Sequence, residues 1–263
     1  MQDLNITIIQ SNLVWENKAA NLSHFEKTIN NISDIGDMVV LPEMFNTAFS
    51  MKPEIFSEPI ESETHNWMQE IAQKYNTILA GSYMVNDDGS FYNRFIVMHP
   101  NGNYEKYDKR HLFRMGNEHK HFTAGSNELI FEIKGWKIKA LICYDLRFPV
   151  FAKNNYSDGE YDYDALIYVA NWPKVRNHIW QSLLLARSIE NQAYVIGVNR
   201  IGKDGNGLEH AGSSCILNSK GEFIIKPRQN IEFTQTATLK YKELEDFRSK
   251  FTVGLDWDIF NIR

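Results

Sequence analysis

Three short segments carry side chains whose types and neighbours suit covalent chemistry at a carbonyl carbon. The first is residues 137–147, KIKALICYDLR, where an apolar strand runs directly into Cys143 and then into a polar turn. A thiol at such a junction stands at the carboxyl edge of a sheet, where open α/β folds place their ligand sites. A helix from about Asp145 would favour a thiolate at its N-terminus, and the Tyr144 backbone N–H can donate to a developing oxyanion. The competing reading is an inert core thiol, the commoner fate of cysteine on context alone.

The second segment is residues 38–43, MVVLPE, which sets Glu43 just beyond another apolar strand. A buried carboxylate there suits general-base work, whereas a solvated loop glutamate is the ordinary alternative. The third is residues 107–118, YDKRHLFRMGNE, with Lys109 between a strand and a loop dense in charged and aromatic residues. A desolvated lysine can hold an oxyanion, although most lysines are simply solvated. The same loop offers His111, Glu118, His119 and His121, all ligand-capable types. Their spacing fits no metal motif and no cysteine pair is near, so no metal is expected.

These residues need elements to position them. Apolar runs predict strands at residues 4–10, 37–41, 77–85, 92–98, 104–107, 129–133, 136–142, 164–170, 193–199, 213–217, 222–225 and 234–239. Helical spacing marks residues 17–32, 61–75 and 177–191, with a last helix from about Tyr241. Asp88-Gly89, Lys134-Gly135 and residues 100–102 are turn signals. Strands alternating with helices in some stretches, and meeting strands through tight turns in others, imply an α/β fold with mixed sheets covered by helices. No linker or repeat divides the chain, so a single domain over residues 1–263 is the simplest organisation.

Composition narrows the function classes. A net charge of −5 without a basic block leaves no footprint for nucleic acid. No apolar run approaches the roughly 18 residues of a membrane span, and the start lacks the features of a signal peptide. A cytoplasmic protein without membrane partners is expected. Its two cysteines, Cys143 and Cys215, then stay reduced, and Cys215 in strand-like SSCIL reads as an inert core thiol.

Taken together and in order, LPE (41–43), YDKRHLF (107–113), LICYDLRFP (141–149), YVANWP (168–173) and ARSIENQAYVIGVNR (186–200) resemble the nitrilase superfamily of carbon–nitrogen hydrolases. The resemblance implies a four-layer α-β-β-α sandwich and a Glu43, Lys109, Cys143 triad without cofactors. It implies a homodimer formed through a helical layer. KRHLFRMGNEHKHF, CYDLRFPVF and NWPKVRNHIW look most like the bacterial omega-amidase, or 2-oxoglutaramate amidase, branch. That branch acts on small ω-amides of dicarboxylic and 2-oxo acids.

On this resemblance, Glu118 is a second glutamate set against the lysine. Asn171 and Trp172 line the pocket, with core packing the alternative for Trp172. Arg147 either forks onto a substrate carboxylate or, the weightier reading from sequence, forms a structural ion pair. Arg187, within the helix at 177–191, reads as structural. Alternatives to the amidase are an N-carbamoyl amidohydrolase or nitrilase using the same triad, an acyl transferase, and a silent module that binds a small amide or acid.

Overall fold

Apolar alternation and local turn chemistry set the elements, which the computed structural model describes over residues 1–258. The chain runs β1 (Leu4–Gln10), α1 (Lys18–Asn30), β2 (Met38–Val40), α2 (Pro53–Phe56), α3 (Glu63–Tyr75), β3 (Ile78–Asp87), β4 (Ser90–Met98) and β5 (Tyr104–Asp108). It continues with β6 (Ile130–Ile133), β7 (Trp136–Ile142), α4 (Pro149–Ala152), β8 (Tyr156–Ser157), β9 (Glu160–Tyr161), β10 (Ala165–Ala170), α5 (Asn177–Asn191) and β11 (Tyr194–Asn199). Last come β12 (Ile201–Lys203), β13 (Glu209–Ala211), β14 (Cys215–Leu217), β15 (Phe223–Ile225), β16 (Phe233–Leu239) and α6 (Tyr241–Lys250). Asn17 caps α1 by accepting from the Ala20 N–H. Asp88-Gly89 and Lys134-Gly135 both take positive φ, the conformation that tight two-residue hairpins demand.

Two six-stranded mixed sheets result, ordered β16-β1-β2-β3-β4-β5 and β15-β14-β11-β10-β7-β6. β1, β2 and β3 run parallel in the first, as do β7, β10 and β11 in the second, with antiparallel strands at the edges. Their inner faces share one core: Ile6, Ile8, Val40, Phe95 and Val97 meet Ile138, Ala140, Ile167 and Val169. The period-2 alternation turns Ile9, Val39, Leu79 and Ile96 outward onto Phe25 and Ile29 of α1 and Met68 and Ile71 of α3. On the other side α5 packs on β11, where a Cβ at Gly197 would lie 2.5 Å from Leu184 Cδ1. This is the four-layer α-β-β-α sandwich, and it brings the carboxyl ends of β2, β7, β10 and β11 to one edge. No helix among the described residues is long and apolar enough to cross a membrane.

Two local features that bear on the pocket differ from expectation. No helix opens at Asp145: Cys143–Arg147 is a single 3-10 turn, and α4 begins only at Pro149. Proline restricts the residue before it, so Phe148 is non-helical, and the Asp145 carboxylate takes the Ile142 N–H at 2.9 Å. Cys143 therefore has no helix N-terminus to favour its thiolate. The β12–β13 ribbon was also not anticipated, although Asp204-Gly205-Asn206-Gly207 between its strands has turn composition.

Candidate active site

Glu43 lies three residues beyond β2, Lys109 directly after β5, and Cys143 directly after β7. The sandwich brings the three together. Lys109 Nζ donates to Glu43 Oε1 at 2.8 Å and stands 3.0 Å from the Glu118 carboxylate. All three of these ionisable side chains are fully buried. The second-glutamate position implied for Glu118 is thus occupied, and its other oxygen takes the Phe113 N–H at 2.6 Å, fixing the loop onto the lysine.

Two asparagines complete the charge network. Asn93 Nδ2 donates to Glu43 Oε1 at 2.9 Å and to Glu118 Oε1 at 3.2 Å. The Asn171 backbone N–H donates to Glu43 Oε2 at 2.8 Å. Among the described residues, Glu43 Oε1 therefore has two donors, whereas Oε2 has one and keeps a lone pair. That lone pair is the acceptor left for a thiol proton.

Cys143 has φ +45°, a left-handed backbone that a residue with a Cβ rarely adopts. The turn stands its side chain into a pocket also lined by Glu43, Phe113, Tyr144, Arg147 and Trp172. Burial, reinforced by the negative charge of Glu43 and opposed by Lys109, raises the thiol well above its ordinary value. Cys143 is thus a neutral thiol at rest, which makes a base beside it necessary. For Lys109 burial disfavours the ammonium, but Glu118 and Glu43 outweigh it and hold the lysine charged. Burial also pushes Glu118 upward, with Glu43 adding to it and Lys109 resisting.

The remaining sequence-derived residues divide. Tyr144 and Asn171 line the pocket, and so does Trp172, which is also well packed, at 3% exposure. Arg147 lies over the Trp172 ring at 5.2 Å and has no acidic partner among the described residues, so the structural ion pair is absent. Arg187 is structural: it binds Leu146 O at 2.6 Å and Glu190 at 2.8 Å. Cys215 is fully buried and pushed up to about 12 by that burial. His111 is engaged by Asp145 and stacked on Phe148, and no group of three or more possible metal ligands gathers among the described residues.

Sequence reasoning missed Asn93, Asp145, Arg176 and His210. Asn93 and Asp145 act across 50 and 34 residues of chain, respectively, and nothing local marks them. Arg176, over the Phe113 ring at 5.5 Å, and His210 both line the pocket. Burial, then the nearby Arg200 charge, lowers His210 to about 4, leaving it a neutral imidazole at pH 7.

Residues 5–249 match the carbon-nitrogen hydrolase family. The omega-amidase YafV of Escherichia coli K12 is 43% identical over 262 residues, covering 100% of both chains. The 2-oxoglutaramate amidase of Bacillus subtilis is 33% identical over 223 residues, 83% of this chain and 84% of that one. Among solved structures, XC1258 of Xanthomonas campestris, a CN-hydrolase superfamily protein with an arsenic adduct in its active site, superposes with a TM-score of 0.97 at 36% identity, covering both chains entirely. The chain belongs to the carbon-nitrogen hydrolase family, within the nitrilase superfamily.

Proposed function

We propose that this protein hydrolyses the terminal amide of small ω-amides of dicarboxylic and 2-oxo acids, such as 2-oxoglutaramate and 2-oxosuccinamate, to the acid and ammonia. The observation that carries the reading is the company kept by Cys143: a base with one free lone pair, a charged lysine, and in the pocket wall an arginine with no ion-pair partner among the described residues. The full-length likeness to an E. coli omega-amidase supports the substrate class.

In this reading Cys143 attacks the amide carbon as Glu43 Oε2 takes the thiol proton. Lys109 has two of its N–H groups on carboxylates and turns the third, with the Tyr144 backbone N–H, to the oxyanion. Glu43 passes its proton to nitrogen, ammonia leaves, and a thioester remains. Glu43 then activates water to release the acid. Glu118 holds the lysine in place. Arg147, over the Trp172 ring at 5.2 Å and without an acidic partner among the described residues, receives the substrate carboxylate.

The proposal includes a single domain over residues 1–263, a cytoplasmic setting and a homodimer. Exposed Val150 on α4 and Ile189 on α5 support an apolar helical contact for the last. A panel of 2-oxoglutaramate, 2-oxosuccinamate and glutamine, assayed for ammonia, tests the substrate class. Turnover of the oxo-acid amides is expected; preference for glutamine with 2-oxoglutaramate ignored overturns it.

A further inference from the structure

Asn171 spends both of its nitrogens on Glu43. Its backbone N–H holds Glu43 Oε2 at 2.8 Å, and Nδ2 donates to the Glu43 main-chain carbonyl at 2.5 Å. Because that acceptor is a carbonyl oxygen, the end of the side chain facing it must be the nitrogen. The other end, Oδ1, is buried and has no partner among the described residues, in a residue only 5% exposed. A buried amide oxygen left unpaired is costly, and native structures satisfy nearly all such atoms. Asn171 stands in the pocket wall with Glu43 and Cys143, so a donor arriving with the substrate can complete it.

A primary amide brings two N–H donors to this place, whereas an ester or acid brings none at that atom. We propose that Asn171 Oδ1 accepts one N–H of the scissile amide and so orients the leaving nitrogen toward Glu43 Oε2. This rests on the amidase reading and assigns the recognition of the amide group within it. In the tetrahedral intermediate the nitrogen carries two hydrogens and a single bond to carbon. As that bond breaks, its electron pair stays on nitrogen, Glu43 returns the proton taken from Cys143, and the oxyanion pair reforms the carbonyl. Ammonia departs and the thioester remains. After that step no amide nitrogen is present, so the Asn171 contact serves acylation alone, while Glu43 serves both halves of the reaction.

The difference gives the test. 2-Oxoglutaramate and the corresponding ω-methyl ester form the same thioester, and the ester, with its easier leaving group, reports thioester hydrolysis in kcat. In Asn171→Ala, kcat/KM for the amide is expected to fall about tenfold or more beyond any fall in kcat for the ester, which reports only the lost Nδ2 anchor on Glu43. An equal fall in both rates shows that Asn171 merely positions Glu43 and overturns the proposal; an unchanged amide rate does the same. Should Asn171→Ala fail to fold, Asn171→Ser supplies the same pair of rates with the same expectation. If the unsubstituted protein hydrolyses neither compound, the amidase reading itself fails and takes this inference with it. An active unsubstituted enzyme with parallel losses in the variant defeats the inference alone.

Discussion

Asp145 and His111 are joined twice: Asp145 Oδ1 accepts from the His111 backbone N–H at 3.1 Å and from its ring Nδ1 at 2.7 Å. The other oxygen of the same buried carboxylate accepts from the Tyr107 hydroxyl at 2.8 Å and from the Ile142 N–H at 2.9 Å. One side chain thereby clamps the segment that carries Lys109 to the turn that carries Cys143. The two segments come from different sheets, so backbone ladders cannot set their mutual distance.

Asp145→Asn should therefore lower kcat by at least about tenfold, since hydrogen bonds to a charged group are worth about 1.5–3 kcal/mol each. KM should change little, because Asp145 is not among the pocket-lining residues. Steady-state kinetics separate the two, and a rise in KM at constant kcat counts against the clamp.

Arg147→Gln should raise KM for 2-oxoglutaramate by about tenfold or more and leave a neutral amide such as butanamide unaffected. The physical basis is a guanidinium in the pocket wall with no ion-pair partner among the described residues, whose fork can meet a carboxylate. Arg147→Lys should recover only part of the loss, because an ammonium lacks that fork. Equal losses on charged and neutral amides would mark Arg147 as a packing residue.

The two thiols should differ in the folded protein and match once unfolded. Iodoacetamide at pH 8 is expected to label Cys143, in the pocket, and spare Cys215, which is fully buried and pushed up to about 12. Because the Cys143 thiol is itself raised, its labelling rate should keep climbing past pH 9 rather than level off at neutral pH. Peptide mapping across pH reads both. A plateau near pH 6 would reveal a preformed thiolate, against this account.

Glu118 gives a pH-dependent signature in stability. Its carboxyl lies above the ordinary 4.5 in the folded protein, chiefly through burial. Such a group contributes stability that is complete below the unfolded pKa and is lost as pH rises through the folded value. Relative to the parent, Glu118→Gln should therefore gain in Tm as pH rises above about 4, with Glu43 still hydrogen-bonded to Lys109. Its kcat/KM should fall, because the lysine loses one of the two anchors that aim it. A Tm difference that moves the other way, or an unchanged kcat/KM, contradicts the assignment.

The sequence was most legible where chemistry is local. β1, β7 and α5 have the expected boundaries, and the hairpin turns at Asp88-Gly89 and Lys134-Gly135 announce themselves by residue type. Glu43 and Cys143 are candidates because each lies within three residues of the end of an apolar strand. Their meeting was legible only through the ordered resemblance, since no spacing rule brings residues 100 apart into one pocket. The helix expected at Asp145 failed because a carboxylate captured the preceding backbone and Pro149 delayed the next helix. Arg147 lost its expected acid to an aromatic face supplied by Trp172, a contact between different strand ends. Asn93 was invisible for a similar reason: a lone asparagine in a strand gives no hint that two carboxylates will lie across it.

The central claim is that Cys143 forms the bond to the substrate carbon, and ammonia release from 2-oxoglutaramate by Cys143→Ser tests it most directly. A serine hydroxyl is a far poorer nucleophile against a base set to receive a thiol proton, so turnover is predicted to drop at least about a thousandfold while Tm holds. Near-parental turnover by Cys143→Ser would contradict the account.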